Sequence, residues 1–208
     1  MIKAIIFDMD GTLIDTVPCA IRAYEAILKP YNVTFSREDY PKIVNMSWRS
    51  VIAEICSKHN IQCTDDMLQE LRNQYVSALH TVGLMPYARE ILTQLQGKCM
   101  LILATLASPR NMEISLTEHS LKDFFDDTVS QATWPITSKS DMIARILSKH
   151  NLRPEECIIV EDSPTGVTAG KENKVFTIGV ANEYFDLEAD VVVTNLQEAY
   201  DIIMDRMK

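Results

Sequence analysis

The sequence predicts an α/β protein: a doubly wound parallel sheet with helices on both faces and an all-helical domain inserted after the first strand. Three observations lead there. Residues 2–7 read as a buried strand, whose apolar run Ala4-Ile5-Ile6-Phe7 stops at Asp8-Met9-Asp10-Gly11-Thr12; this is the pattern of a strand buried on both faces. After Gly83 short apolar runs alternate with helical patterns to the end of the chain, the rhythm of βα units. Finally, Thr105 and Lys139 are 34 residues apart and Lys139 and Asp162 are 23 apart, each about one βα unit, whereas 95 residues separate Asp10 from Thr105, too many for one crossover. The expected core is therefore 1–15 with 82–208, and residues 16–81 form a helical domain positioned to act as a lid.

The elements follow in order. Val17 to Leu28 carries apolar residues at Ala20, Ile21, Tyr24, Ile27 and Leu28. Ser36 with Asp39 three residues later reads as a helix start with a capping box. Ser47 caps a helix to about Lys58, with Val51, Ile52 and Ile55 inward. Thr64 opens another helix, whose stripe is Met67, Leu68, Leu71, Tyr75 and Leu79. No strand pattern occurs in this block. Beyond it, Met85-Pro86 precedes a helix ending before Gly97, and Cys99–Ala104 is a buried strand. Pro109 starts a helix to about His119. Thr128-Val129 is a short strand, 139–150 a helix, Cys157–Val160 a strand, and Pro164 to about Glu172 a helix. Val175–Ile178 and Val191–Val193 are the last strands before a closing helix.

Composition narrows the function. Apolar residues make up 47% of the 208, enough for a packed core, and the formal net charge is −9. That charge argues against nucleic acid or an anionic membrane as partner. No apolar stretch reaches the roughly 20 residues of a membrane span, and Asp8 and Asp10 interrupt the one N-terminal run that a signal peptide would need. Five cysteines, odd in number and without a C-x-x-C pair, suit a reduced cytoplasmic protein. The four histidines show no zinc-ligand spacing. Nothing in the chain fixes an oligomeric state.

The chemistry gathers at strand ends. In an open α/β sheet, ligands bind outside the carboxyl ends of the strands, and Asp8, Thr105 and Glu161-Asp162 each directly follow an apolar strand. Residues two apart on a strand share a side, so Asp8 and Asp10 converge. A lone D-x-D reads equally as a turn whose acids cap the next segment; the following glycine and the second acidic pair favour a site. Glu161-Asp162-Ser163-Pro164 is a good helix start, with Ser163 as cap and Pro164 in the first position, and its acids are also the natural remainder of a Mg²⁺ site, because Mg²⁺ takes a few carboxylate oxygens plus waters and phosphate. Thr105 is either a β-branched strand residue or a hydroxyl donor to a phosphoryl oxygen, assisted by the Leu106 amide. Lys139 opens a helix, where the dipole disfavours a cation; it is either solvated or a neutraliser of transferring phosphate.

Asp8-Met9-Asp10-Gly11-Thr12-Leu13, Thr105, Lys139 and Glu161-Asp162-Ser163-Pro164-Thr165-Gly166 resemble, in order, the four motifs of the haloacid dehalogenase superfamily, in its β-phosphoglucomutase-like and phosphoglycolate-phosphatase-like branch. The resemblance spans essentially the whole chain, including the helical cap after the first motif. It implies a Rossmann-like core and a Mg²⁺-dependent phosphatase acting on a small phosphorylated metabolite. It implies Asp8 as nucleophile and Asp10 as acid and base, with Thr105 and Lys139 on the phosphoryl group. Mg²⁺ would be held by Asp8, the carbonyl of Asp10 and Asp162, with Glu161 nearby. The sequence departs from the family at Leu106-Ala107-Ser108 after Thr105 and at Ser140, where a proline is frequent.

The sugar-phosphate mutases of this branch are the alternative. They carry a cap histidine after the first motif and a K-G-x-x-R-like stretch. Here Cys19-Ala20 occupies the first place and Asn45-Met46-Ser47-Trp48-Arg49 the second, keeping the arginine and losing the lysine. Trp48 and Arg49 are candidate substrate contacts. With one cation and the histidine gone, hydrolysis is the favoured reaction. Dehalogenation leaves the acids at 10, 161 and 162 without purpose, and a phospho-accepting receiver domain lacks the helical insertion.

Overall fold

The computed structural model describes residues 1–44 and 46–208. The chain divides into two compact units, Met1–Asp15 with Gly83–Lys208, and Thr16–Val82. The first contains a six-stranded sheet: β1 (Ala4–Phe7), β2 (Met100–Ala104), β3 (Asp127–Val129), β4 (Cys157–Glu161), β5 (Phe176–Val180) and β6 (Val191–Val193). The order is β3-β2-β1-β4-β5-β6 with every pairing parallel. The chain walks outward from β1 through β2 to β3, then returns to β1's other side as β4. The reversal makes the β1/β4 carboxyl ends the switch point of the sheet, where such folds place their ligands.

Register fixes what lies there. Phe7 pairs with Leu103 on one side and with Val160 on the other. The next residues, Asp8, Ala104-Thr105 and Glu161-Asp162, therefore emerge at one level of one edge. The sheet is covered on both faces, and its central strands β1 and β2, with β4 up to Val160, are accordingly apolar. Ala4, Ile6, Ile102, Ala104, Cys157 and Ile159 form one core cluster with α7 (Lys139–Lys149) and α8 (Pro164–Asn173), through Met142, Ile143, Ile146, Leu147 and Ala169. The alternate residues Ile5, Phe7, Leu101, Leu103, Ile158 and Val160 are also fully buried. Burying each such side chain contributes about 1.5–3 kcal/mol. α5 (Ala88–Leu95), α6 (Pro109–Glu118) and α9 (Leu196–Met207) complete this unit, α9 contacting α5, β5 and β6.

The second unit is all-helical among its described residues: α1 (Val17–Leu28), the four-residue α2 (Tyr40–Ile43), α3 (Trp48–Lys58) and α4 (Asp65–Leu79), with short 3-10 turns between α1 and α2. α1 packs along α4, and Tyr24 stacks on Phe35 at 4.7 Å. The expected caps are present: Ser47 Oγ accepts from Ser50 N at 3.1 Å, Thr64 Oγ1 from Met67 N at 3.3 Å, and Asp39 Oδ2 from Ser36 N at 3.0 Å. The whole predicted stripe of α4 is buried. In α3, Val51 and Ile52 are buried as expected, while Ile55 is half-buried and Cys56 takes the inward place. No helix is long and apolar enough to cross a membrane among the described residues.

Candidate functional site

β1 delivers Asp8 into the switch point, and its backbone N–H still donates to Val160 O of β4 at 3.0 Å. The chain then turns tightly. Leu13 N and Ile14 N both donate to Met9 O at 3.0 Å, and Gly11 N donates to Ile14 O at 2.8 Å. Gly11 has φ +86°, and a Cβ there would lie 2.2 Å from Asp162 Oδ2. Both facts demand glycine: the turn needs the left-handed region, and Asp162 needs the space.

Lys139, Glu161 and Asp162 meet beside Asp8. Lys139, the first residue of α7, is only 4% exposed. Its Nζ donates to Asp8 Oδ1 and, at 2.6 Å, to Ala104 O, and lies 3.4 Å from Glu161 Oε2. A cation at a helix N-terminus is opposed by the dipole by a fraction of a kcal/mol; two buried carboxylates outweigh that. Glu161 closes β4. Its Oε1 accepts from Ser163 N at 3.3 Å and Ser163 Oγ at 2.8 Å. Ser163 Oγ also caps α8 by accepting from Gly166 N at 3.2 Å, so the segment serves as helix cap and as site at once. Gly166 leaves room for Glu161, whose Cδ would sit 1.9 Å from a Cβ there. Asp162 is held by Thr12 Oγ1, which donates to its Oδ1 at 2.8 Å. Thr105 Oγ1 donates to Asp10 Oδ2 at 3.1 Å and accepts from Ala107 N at 3.0 Å.

The electrostatics are unbalanced. Carboxylate oxygens of Asp8, Glu161 and Asp162 lie within 4.8 Å of one another, all three residues buried. At an effective dielectric of about 20, two such charges repel by roughly 3 kcal/mol. Lys139 supplies one positive charge against three. Burial first, then Glu161, push the Asp8 carboxyl well above its ordinary range despite Lys139. Burial and Glu161 likewise push Asp162 up to about 8, with Thr12 pulling the other way. Burial disfavours the charged form of Lys139, but Asp8 and Glu161 outweigh it and raise its affinity for the proton. A close set of buried, hard oxygen donors with surplus negative charge fits a divalent cation such as Mg²⁺.

Residues 5–180 match the haloacid dehalogenase-like hydrolase family. The chain belongs to that family. Among curated relatives, a phosphoglycolate phosphatase of Synechococcus elongatus is 26% identical over 190 residues, covering 90% of this chain and 87% of its own. A β-phosphoglucomutase of Bacillus subtilis is 24% identical over 201 residues, covering 92% and 88%. Among solved structures, a haloacid dehalogenase-like hydrolase of Streptococcus pneumoniae superposes with TM-score 0.83 at 21% identity, covering 97% of this chain and 98% of that one; that likeness speaks to the fold. This haloacid dehalogenase-like hydrolase is an enzyme of the phosphatase and phosphomutase kind.

The remaining sequence candidates are placed as follows. Leu106, beside Thr105, is 42% exposed. Trp48 and Arg49 begin α3 in the helical unit. The Trp48 ring meets Tyr75 edge-on at 4.9 Å, and Arg49 Nη2 lies 2.7 Å from Asp65 Oδ1 on the surface. Asn45 lies outside the described residues. Two residues of the hydrolase were not anticipated as site members. Thr12 stood within the first motif but without a role. Asn182 follows β5, donates from Nδ2 to Asp162 O at 2.7 Å, and accepts at Oδ1 from Tyr184 N at 2.9 Å and Phe185 N at 3.2 Å. The signal for Asn182 was the one used for the others, a polar residue just beyond a strand's carboxyl end.

Proposed function

We propose that the protein is a Mg²⁺-dependent phosphatase that hydrolyses a small phosphomonoester, a sugar phosphate or similar metabolite, through an aspartyl phosphate on Asp8. The observation that carries the reading is the meeting of Asp8, Lys139, Glu161 and Asp162 at the switch point with more buried negative charge than one lysine balances. Asp8, the carbonyl of Asp10 and Asp162 would hold the metal, with Glu161 beside them. When bound, Mg²⁺ would offset the repulsion between these carboxylates and a phosphate dianion.

The chain's own groups supply the rest. Asp8 attacks phosphorus and becomes the acyl phosphate. Asp10, oriented by the Thr105 hydroxyl, protonates the leaving alcohol oxygen and then takes a proton from the water that hydrolyses the intermediate. Lys139, anchored on Ala104 O, neutralises charge gathering on the phosphoryl oxygens, and Thr105 and the Leu106 amide are further donors to them. Trp48 and Arg49 are our candidates for selecting the substrate. The reducing interior of a cell is the compartment that suits five cysteines outside any disulfide.

Release of inorganic phosphate from an aryl phosphate tests the proposal. Wild type should release it only with Mg²⁺, and Asp8→Asn should abolish release; activity surviving that substitution refutes the nucleophile. The named similarity to a β-phosphoglucomutase keeps a second reading open to trial. Supplied with β-glucose 1-phosphate, a mutase forms glucose 6-phosphate without releasing phosphate. The absence of the cap histidine, with buried Cys19 in its place, supports hydrolysis.

A further inference from the structure

Cys56 and Cys63 form a thiol pair that the proposed reaction does not use. Cys56 lies in the last turn of α3 and is 1% exposed; Cys63 is exposed. The helix end brings them together. Asn60 adopts the left-handed conformation at φ 54°, Asn60 N donates to Ser57 O at 3.5 Å and Ile61 N to Cys56 O at 2.9 Å. These are the paired bonds of a Schellman stop, and they fold the chain back over the last turn. Two residues later Cys63 returns beside the last turn that holds Cys56, and the two thiols interact. The next residue, Thr64, is the cap of α4. Of the other cysteines, Cys19 and Cys157 are buried and Cys99 is half-buried; none of the five is in a disulfide in this structure.

We propose that Cys56 and Cys63 are a redox modification site, oxidised by a hydroperoxide to an intramolecular disulfide that ties the end of α3 to the start of α4. The exposed Cys63 sulfur attacks the peroxide O–O bond. It becomes a sulfenic acid, and the peroxide is reduced to an alcohol, or to water where the oxidant is hydrogen peroxide. The Cys56 sulfur then attacks the sulfenyl sulfur; the S–S bond forms and the hydroxyl leaves with the Cys56 proton as water. Burial and the neighbouring Cys63 keep the Cys56 thiol protonated. That casts Cys56 as the resolving partner and Cys63 as the group first oxidised.

The test uses the full-length folded protein and hydrogen peroxide. Lys58 lies between the two cysteines, so trypsin releases them on separate peptides and a disulfide is read directly as a linked pair. The expected result is that pair, two alkylatable thiols lost, and both restored by dithiothreitol. In Cys56→Ser, Cys63 should instead accumulate as a sulfenic acid that reacts with dimedone. The same treatment of the guanidinium-unfolded chain should give scrambled pairs. Overoxidation of Cys63 without linkage in the folded wild type would overturn the proposal, as would equal yields of the 56–63 pair in folded and unfolded chains.

Discussion

Thr12→Val separates the fold of the site from its chemistry. The substitution exchanges a fully buried hydroxyl for a methyl of nearly the same shape, so packing is preserved. It deletes the 2.8 Å bond to Asp162 Oδ1. A hydrogen bond to a charged acceptor contributes about 1.5–3 kcal/mol. Thr12 also holds the Asp162 carboxyl below where burial and Glu161 would otherwise set it, so its removal further disfavours the ionised form that a cation needs. If that bond orients Asp162 for Mg²⁺, the loss appears as Mg²⁺ affinity weakened by about 10- to 150-fold. The assay is phosphate release against Mg²⁺ concentration, for wild type, Thr12→Val and Thr12→Ser. Thr12→Ser keeps the hydroxyl and should recover most of the affinity. A valine variant with the wild-type Mg²⁺ dependence, or a serine variant as impaired as the valine one, would refute the reasoning.

Lys139→Met leaves Asp8 and Glu161 buried without their cation. It should lower stability by about 3–5 kcal/mol in urea unfolding, nearer the smaller value because Asp8 already favours its neutral form, and lower turnover about 10³-fold or more; wild-type stability would contradict it. Asp162 gives a pH signature. Its native carboxyl titrates at about 8 against an ordinary 3.8, so between those values the native state binds more protons than the unfolded state and metal-free stability falls as pH rises. In EDTA wild type should lose a few kcal/mol relative to Asp162→Asn between pH 5 and about 8, and Mg²⁺ should raise the wild-type Tm more at pH 8 than at pH 5; a flat difference would count against the assignment. Gly166→Ala on an exposed helix would stabilise by about 1 kcal/mol. Here the new Cβ meets Glu161, and the expected outcome by denaturant titration is a net loss of about 1–3 kcal/mol.

The central strand ends were legible because a parallel sheet with both faces covered writes its inner strands as uninterrupted apolar runs, and the runs of β1, β2 and β4 stop at Asp8, Thr105 and Glu161. The helical unit was legible through its caps, Ser47 and Thr64, and through the stripe of α4. β5 was less so. It runs Phe176–Val180 rather than ending at Ile178, because Gly179, a weak strand former, is held by pairing to Glu161 on one side and Val192 on the other. The start of α5 at Ala88 was hidden by Tyr87, whose φ of 65° no local pattern announces. Ile55, expected inward, is only half-buried and Cys56 is buried instead, because both fit the apolar stripe and only the packing of α3 decides between them. Lys139 carried a local signal that opposed its position; the two carboxylates that reverse the sign come from β1 and β4, more than 20 residues away in sequence on either side. Thr12 was missed for the same reason, since it acts on Asp162, distant in sequence and adjacent in space; Asn182 carried the strand-end signal, but its contact with Asp162 O is visible only in the fold.

The most direct measurement is the identity of the phosphorylated residue during turnover. Wild type mixed with substrate and Mg²⁺, quenched in acid within milliseconds and digested, should yield a peptide bearing a hydroxylamine-labile phosphate on Asp8. Phosphate on any other residue, or turnover with no phosphorylated enzyme at any time before the first product appears, would contradict the account.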